Sequence, residues 1–508
     1  MNTSRNQILA VLLWGLVFAL AYSQSPLYTS NQNQYFLHGL VQAGYADLSQ
    51  DWLVSTADPT PVFSQMVALV YSYLRWEGIF YLIYAILMVI YLYSLWSIIT
   101  SLFIWRDSIT KTLLFLAVLV LIHSAGWRYG LSLILGVNWT YILEDGVADQ
   151  RLLGPVLQPS IFGVLLLLSI SFFMQRRLVL AVLSAVLAAT FHPTYLLSAA
   201  VLTATYLLDV ILQERNWKKA IALGGLALAA VAPILLTVYP VFTGGPADMA
   251  EQARRVLVEF RIPHHALIHQ WFDATAVLKI GLVILACYLV RRTRLFTVMG
   301  ISLLVVTLLT LVQAASASTG LALVFPWRLS TFLVPLSSAV ILAYLIDRLL
   351  DKPELGTPAA QKAIGWLSLA IALIAVISGV SRFSLDLQRK STGNETALQA
   401  FVDDQRKPGD VYLIPFKMQD FRLAAGAAAF VDFKAIPYRS DEVLEWYRRE
   451  LLAERFYKTG DCAVIDEIIE EYSLTHVIIE KETAPNSGCP GLDLIYADGA
   501  YSLWKIQP

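Results

Sequence analysis

The residues of this chain that could do chemistry collect in a few polar stretches between long apolar runs. The first, 24–63, reads QSPLYTSNQNQYFLHGLVQAGYADLSQDWLVSTADPTPVF. It carries Asp47, Asp51 and Asp58, with Trp52 among them and Pro59 and Pro61 closing the stretch. A carboxylate beside a tryptophan loses access to water, which raises the basicity that a proton acceptor needs. Asp51 fits that role best, and Asp47 takes it over if the preceding helix is rotated. Asp58, followed by Pro59, reads as the cap of a turn. The alternative for all three is an interfacial loop solvated by its own acids.

The second stretch, 127–160, holds Arg128, Trp139, Glu144, Asp145, Asp149 and Arg151. Glu144 and Asp145, with Asp149 nearby, could hold a hard divalent cation (Mg or Mn) through oxygen ligands, or form a solvated acidic turn. The third stretch, 243–273, contains Arg254, Arg255, Arg261, His264, His265 and His269. Adjacent histidines point in different directions on a helix or strand, and no fixed metal-ligand spacing is met. Arg261, His264 and His265 therefore read as hydrogen-bond partners for a phosphate or sugar, with interfacial packing as the alternative. A fourth, Phe325-Pro326-Trp327-Arg328, places a guanidinium at the mouth of an apolar helix, where an unpaired charge is costly. Arg328 suits a phosphate, which it can grip with two parallel hydrogen bonds, or a neighbouring loop carboxylate. Arg128 and His192, the latter in the turn FHPTY, complete the phosphate-binding candidates; a histidine before proline, as His192 is, is more often a helix-end cap than a ligand.

Such groups need a scaffold, and composition names its class. Of 508 residues, 57% are hydrophobic and only 15% charged, against about 25% charged in soluble chains. Apolar spans fall near 7–23, 77–103, 109–125, 156–174, 178–191, 194–212, 219–240, 274–290, 295–313, 329–346 and 363–381. They predict a polytopic α-helical membrane protein of about eleven helices. With Met1 inside, the inner loops hold every compact basic turn, Arg176-Arg177 and Arg291-Arg292 among them, so the expected orientation is amino terminus in and carboxyl terminus out. The first span ends in Ala19-Leu20-Ala21, which a signal peptidase could accept; an uncleaved anchor is the preferred reading. The net charge is −1 with no basic stripe, which excludes nucleic acid as a natural partner.

Near residue 382 the composition changes. Residues 383–508 are expected to form a small α/β domain outside the membrane, leaving 1–382 as the helical domain. Strands are predicted at 410–416 and His476–Glu480, helices at 440–457 and 462–472, and a hairpin over 492–506 turning at Asp498-Gly499. Cys462 and Cys489 both lie there, either paired or as free thiols. Near-mid-span ionisable residues are scarce; Lys279 is the main exception, close enough to a helix end to snorkel. Ion-coupled transporters place acids or histidines at mid-membrane, whereas here the polar groups gather on one side. A site at the outer surface of the plasma (inner) membrane fits that distribution better than a conduction path.

This layout, together with Asp51, the Glu144-Asp145 pair and Arg328, resembles the C-type membrane glycosyltransferases, the GT-C superfamily that includes oligosaccharyltransferases and protein O-mannosyltransferases. The first loop departs from that pattern in having isolated aspartates and no Asp-Asp or Asp-Glu pair. The stretches FHPTY, RIPHH, FPWRLS and VDFKAIPYRSDEVLEWYRR are similar to those of an uncharacterised family of bacterial multi-pass membrane proteins. The superfamily resemblance implies a glycosyltransferase drawing on a polyprenyl-phosphate-linked sugar donor in the lipid bilayer and passing the sugar to an unknown acceptor. In such chemistry an outer-loop carboxylate takes the acceptor proton while arginine, histidine or a cation neutralises the leaving phosphate. A lipid-linked glycan transporter or flippase and a non-catalytic scaffold with an outer partner-binding domain are the alternatives.

Overall fold

The computed structural model describes residues 5–46, 48, 50–103, 105, 108–243, 245–482 and 489–507; Asp47 lies outside the described residues. All eleven predicted apolar segments are helical, among them Arg5–Tyr22, Ile79–Phe103, Leu178–Phe191, Arg294–Ser316, Ser330–Leu350 and Pro358–Ser391. Among the described residues, 6 helices are long and apolar enough to cross a membrane, or up to 7 if the bent pair Ile109–Ile122 and Ala125–Leu135, with its 56° kink, is one span. Others, such as Ala274–Leu289, are apolar but shorter. The spans differ in what they face. In Thr319–Leu350, 78% of the apolar window is buried, against 22% in Trp217–Phe242 and in Pro358–Ser391. The first is a central helix, and the other two present leucines outward as lipid-facing helices do.

Two compact units emerge. The first comprises Met1–Gln24, Phe80–Leu236 and Val258–Ser384. Its helices are joined at one end by a buried ion pair: Arg294 Nε lies 3.2 Å from Asp209 Oδ1, and the guanidinium stacks 4.2 Å from the Phe173 ring. A charge this close to apolar spans is tolerable because its partner and the Phe173 carbonyl satisfy it.

The second unit gathers Ser25–Ile79, Thr237–Leu257 and Leu385–Pro508. The polar stretch 24–63 thus belongs, almost whole, with the carboxyl-terminal residues. Phe36, Leu37 and Leu40 are fully buried, and Phe36 packs 5.7 Å from Phe63, in the helix Pro61–Leu74. The apolar side chains of this stretch are therefore covered by protein, and the chain around them forms two short helices, Gln32–Tyr35 and Leu37–Gln42.

The carboxyl-terminal part carries a five-stranded sheet of order β2-β1-β3-β5-β4, with β1 Val411–Leu413, β2 Ala428–Ala429, β3 His476–Glu480, β4 Leu492–Ala497 and β5 Tyr501–Ile506. β1 pairs in parallel with β2 and β3, while β3, β5 and β4 run antiparallel. Helices Ser440–Thr459 and Cys462–Glu471 form as the periodicity predicts. Cys462 and Cys489 are joined in a disulfide, Cα–Cα 5.3 Å.

Candidate functional site

The site is built around residues 141–151 of the first unit. The carbonyl of Tyr141 accepts from the backbone N–H of both Glu144 (3.2 Å) and Asp145 (2.9 Å), so the two carboxylates leave a single tight turn. Two helices, Ser330–Leu350 and Ala274–Leu289, pin that turn through side chains. Ser338 Oγ donates to the Leu143 carbonyl at 2.7 Å, Lys279 Nζ to the Gly146 carbonyl at 2.8 Å, and the Val147 N–H donates to Ser330 Oγ at 2.8 Å. Lys279 is only 5% exposed; it does not snorkel but turns inward, and the loop carbonyl satisfies it. Next come Ala148 and Asp149 at φ 57° and 50°, two consecutive non-glycine residues in the left-handed region. Such a conformation costs on the order of 1–2 kcal/mol per residue and persists only where the surroundings over-determine it, commonly at functional sites.

Glu144 and Asp145 are 4% and 3% exposed. Arg128 Nη1 lies 3.5 Å from Glu144 Oε1. The same guanidinium donates to the carbonyls of His123 and Tyr22 and lies 4.2 Å over the Tyr22 ring. Glu144 Oε2 has no hydrogen-bond partner among the described residues. His123 Nε2 lies 3.9 Å from it. That imidazole's Nδ1 donates to the Leu119 carbonyl at 2.8 Å, and its Nε2 lies 2.8 Å from Tyr91 Oη. Burial raises the Glu144 carboxyl above the ordinary range; Arg128 opposes the shift and Asp145 adds to it. Burial also raises Asp145, against the pull of Arg151. Arg151 Nε contacts Asp145 Oδ2 at 2.8 Å and stacks 4.1 Å over Tyr141. Its side chain is 37% exposed, so it forms the outer cover of the pair.

The far end of the loop meets the phosphate-binding candidates. Arg328 Nη1 donates to Gln150 Oε1, Nη2 contacts His192 Nε2 at 2.7 Å, and the guanidinium lies 5.0 Å over Tyr195. Arg328 Nε is buried without a hydrogen-bond partner among the described residues. Burial, then the Arg328 charge, holds His192 well below the usual imidazole range, so Nε2 is an acceptor for Arg328. His265 Nδ1 donates to the Ala148 carbonyl at 2.7 Å. Burial and the neighbouring His264 ring, centroids 4.0 Å apart, push His265 down to about 3. Arg261 ends the π-helical turn Val256–Arg261 just before these histidines, a geometry that recurs at functional sites.

The structure thus brings Arg128, Glu144, Asp145, His192, His265 and Arg328 to one loop. His264 is attached through His265, and Arg261 acts on the same ring by its charge. Asp51 lies elsewhere. In the second unit its Oδ2 accepts from Arg422 Nε at 2.6 Å and from the Ala429 N–H at 2.9 Å, and its Oδ1 caps Leu53 N–H at 2.9 Å. Arg422 also pairs with Asp432. At 1% exposed, with both oxygens engaged, Asp51 is a buried ion-pair member and loop cap, not a carboxylate open to a substrate. The contacts of Tyr22, Tyr141, Gln150 and Tyr195 carry no sequence signal beyond residue type. Lys279 and His123, lone polar residues in apolar runs, were the readable ones.

Among the described residues no three His, Cys, Asp or Glu side chains group as cation ligands. Glu144 and Asp145 each already face an arginine, a donor set that does not fit Mg or Mn.

A family described as a domain of unknown function (DUF6798) matches residues 393–451, the stretch of the second unit that contains Arg422 and Asp432. No curated protein matches this sequence.

Proposed function

We propose that this protein is a multi-pass membrane glycosyltransferase of the GT-C kind, transferring a sugar from a polyprenyl-phosphate donor, with Glu144 as the proton acceptor. The observation that carries this reading is Glu144 itself: a buried carboxylate with one oxygen unbonded and its basicity raised, set among arginines on a strained loop. A general base works best when its proton affinity lies close to the working pH, so that an ionised fraction can take up a proton, and that environment tunes a glutamate upward. The acceptor hydroxyl gives its proton to Glu144 Oε2 as its oxygen bonds to the sugar carbon. The bond from that carbon to the phosphate oxygen breaks, and Arg328, steadied by Gln150 and His192, stabilises the charge left on phosphate. Arg151, stacked on Tyr141, swings aside to admit the substrates.

In this reading the chain crosses the plasma membrane about eleven times, with its amino terminus inside and its second unit extracytoplasmic. The Cys462–Cys489 disulfide supports that side, since such bonds persist in oxidising compartments. The unknown acceptor reaches the loop from the same side.

The test is transfer by the purified protein in proteoliposomes supplied with polyprenyl-phosphate-linked hexoses. Glu144→Gln is expected to slow turnover about 10²–10⁴-fold with polyprenyl phosphate binding unchanged. Arg328→Lys keeps the charge but loses the two-pronged grip, so it should weaken that binding. Full transfer by Glu144→Gln removes it as the base. Absence of both transfer and polyprenyl phosphate binding in the wild type removes the enzyme reading.

A further inference from the structure

At the opposite ends of these helices a second feature stands apart from the loop. The turn after Val164–Met174, the start of Leu178–Phe191 and the first turns of Trp217–Thr243 line an open groove of about 570 Å³. Arg176, Arg177 and Lys219 border it, and Val179, Leu180 and Leu226 form its apolar wall. Glu214 reaches two of the cations, 2.7 Å from Lys219 and 3.8 Å from Arg176. Among the described residues no carboxylate lies within ion-pairing distance of Arg177, so the groove stays net positive. Arg176 is held at φ 64°, a conformation unfavourable for a long side chain, and the tight turn brings both Arg176 and Arg177 to the groove. Val179 and Leu180 are 52% and 42% exposed.

We propose that this groove binds one anionic phospholipid, its phosphate between Arg177 and the Arg176–Lys219 edge and an acyl chain along Val179, Leu180 and Leu226. The cations stand where apolar spans begin and end, which is headgroup depth in a bilayer. Basic pockets between spans are a recognised way to hold acidic headgroups. A free phosphate would use the cations but leave the leucine wall bare, whereas a phospholipid satisfies both.

The experiment is native mass spectrometry of the full-length protein in neutral detergent, titrated with phosphatidylglycerol or with phosphatidylcholine of the same chains. Preferential phosphatidylglycerol binding is expected. Arg177→Gln should cut that preference about fivefold, and the pair Arg176→Gln with Arg177→Gln about 25-fold. Arg291→Gln, a basic change outside the groove, should leave it intact. The single Arg177 variant breaks no ion pair, so it reports even if the double variant fails to fold. Equal binding of both lipids by the wild type overturns the proposal, as does an unchanged preference in Arg177→Gln. So does an equal loss in Arg291→Gln, or displacement of the lipid by excess inorganic phosphate.

Discussion

Glu144 carries a signature in stability as well as in rate. Its folded-state affinity for a proton exceeds that of a solvated glutamate, so between the two titrations the folded protein holds a proton that the unfolded chain has released. Stability contributed by the protonated form is present below the ordinary glutamate range and is lost as pH rises through the folded value. The melting midpoint of the wild type should therefore fall across that window, and that of Glu144→Gln should stay flatter; parallel curves would remove the shifted group. Arg422 offers the contrasting case. Breaking a buried ion pair by removing one partner typically costs about 3–5 kcal/mol. Arg422→Ala strands both Asp51 and Asp432, so it should expose the second unit to limited proteolysis. Asp51→Asn should cost less, since Arg422 keeps Asp432 and the asparagine oxygen can still cap Leu53. Equal protease sensitivity of wild type and Arg422→Ala would deny the triad its role. Reading Asp51 as a base went astray because sequence supplies its neighbours Trp52 and Pro59 but not Arg422, which arrives from 371 residues away.

Among elements, the 141–151 turn depends on close approach. A Cβ on Gly146 would stand 2.4 Å from Ser330 Oγ and 2.9 Å from the Thr331 backbone nitrogen. The hydroxyl can rotate away, but the helix backbone cannot. Gly146→Ala should thus destabilise the first unit by about 1–3 kcal/mol, and Ser330→Ala should relieve only part of it, read as a shift in thermal midpoint. The apolar helices were legible because runs of leucine and valine leave few other options, and the hairpin 492–506 because alternation and Asp498-Gly499 mark it. The helices Ala125–Leu135 and Pro61–Leu74 were read as outer loop. Each is shorter than a bilayer crossing, and hydropathy windows see only length. The loop's strain at Ala148 and Asp149 has no sequence mark at all, since neither is glycine.

At the scale of the molecule, side matters more than count. Under the orientation proposed, a reporter active only outside the cytoplasm should work when fused after Gln507 and fail when fused after Arg292. The opposite pattern would put every candidate group in the wrong compartment. Basic turns such as Arg176-Arg177 are what the proposed orientation rests on. What remained hidden was the membership of the second unit, because adjacency between residues 25–79 and 385–508 is a tertiary fact with no local periodicity.

That discontinuous unit also sets a timetable. The segment bearing Asp51 leaves the ribosome early, and its ion-pair partner Arg422 follows 371 residues later. At about 5–20 residues per second, the wait is about 20–75 s. Throughout it, Phe36, Leu37 and Leu40 have no finished core to enter. The early segment is a customer for holding chaperones until translation ends, and a ribosome stalled beyond the last span would release a chain with its helices formed and its second unit permanently unfinished.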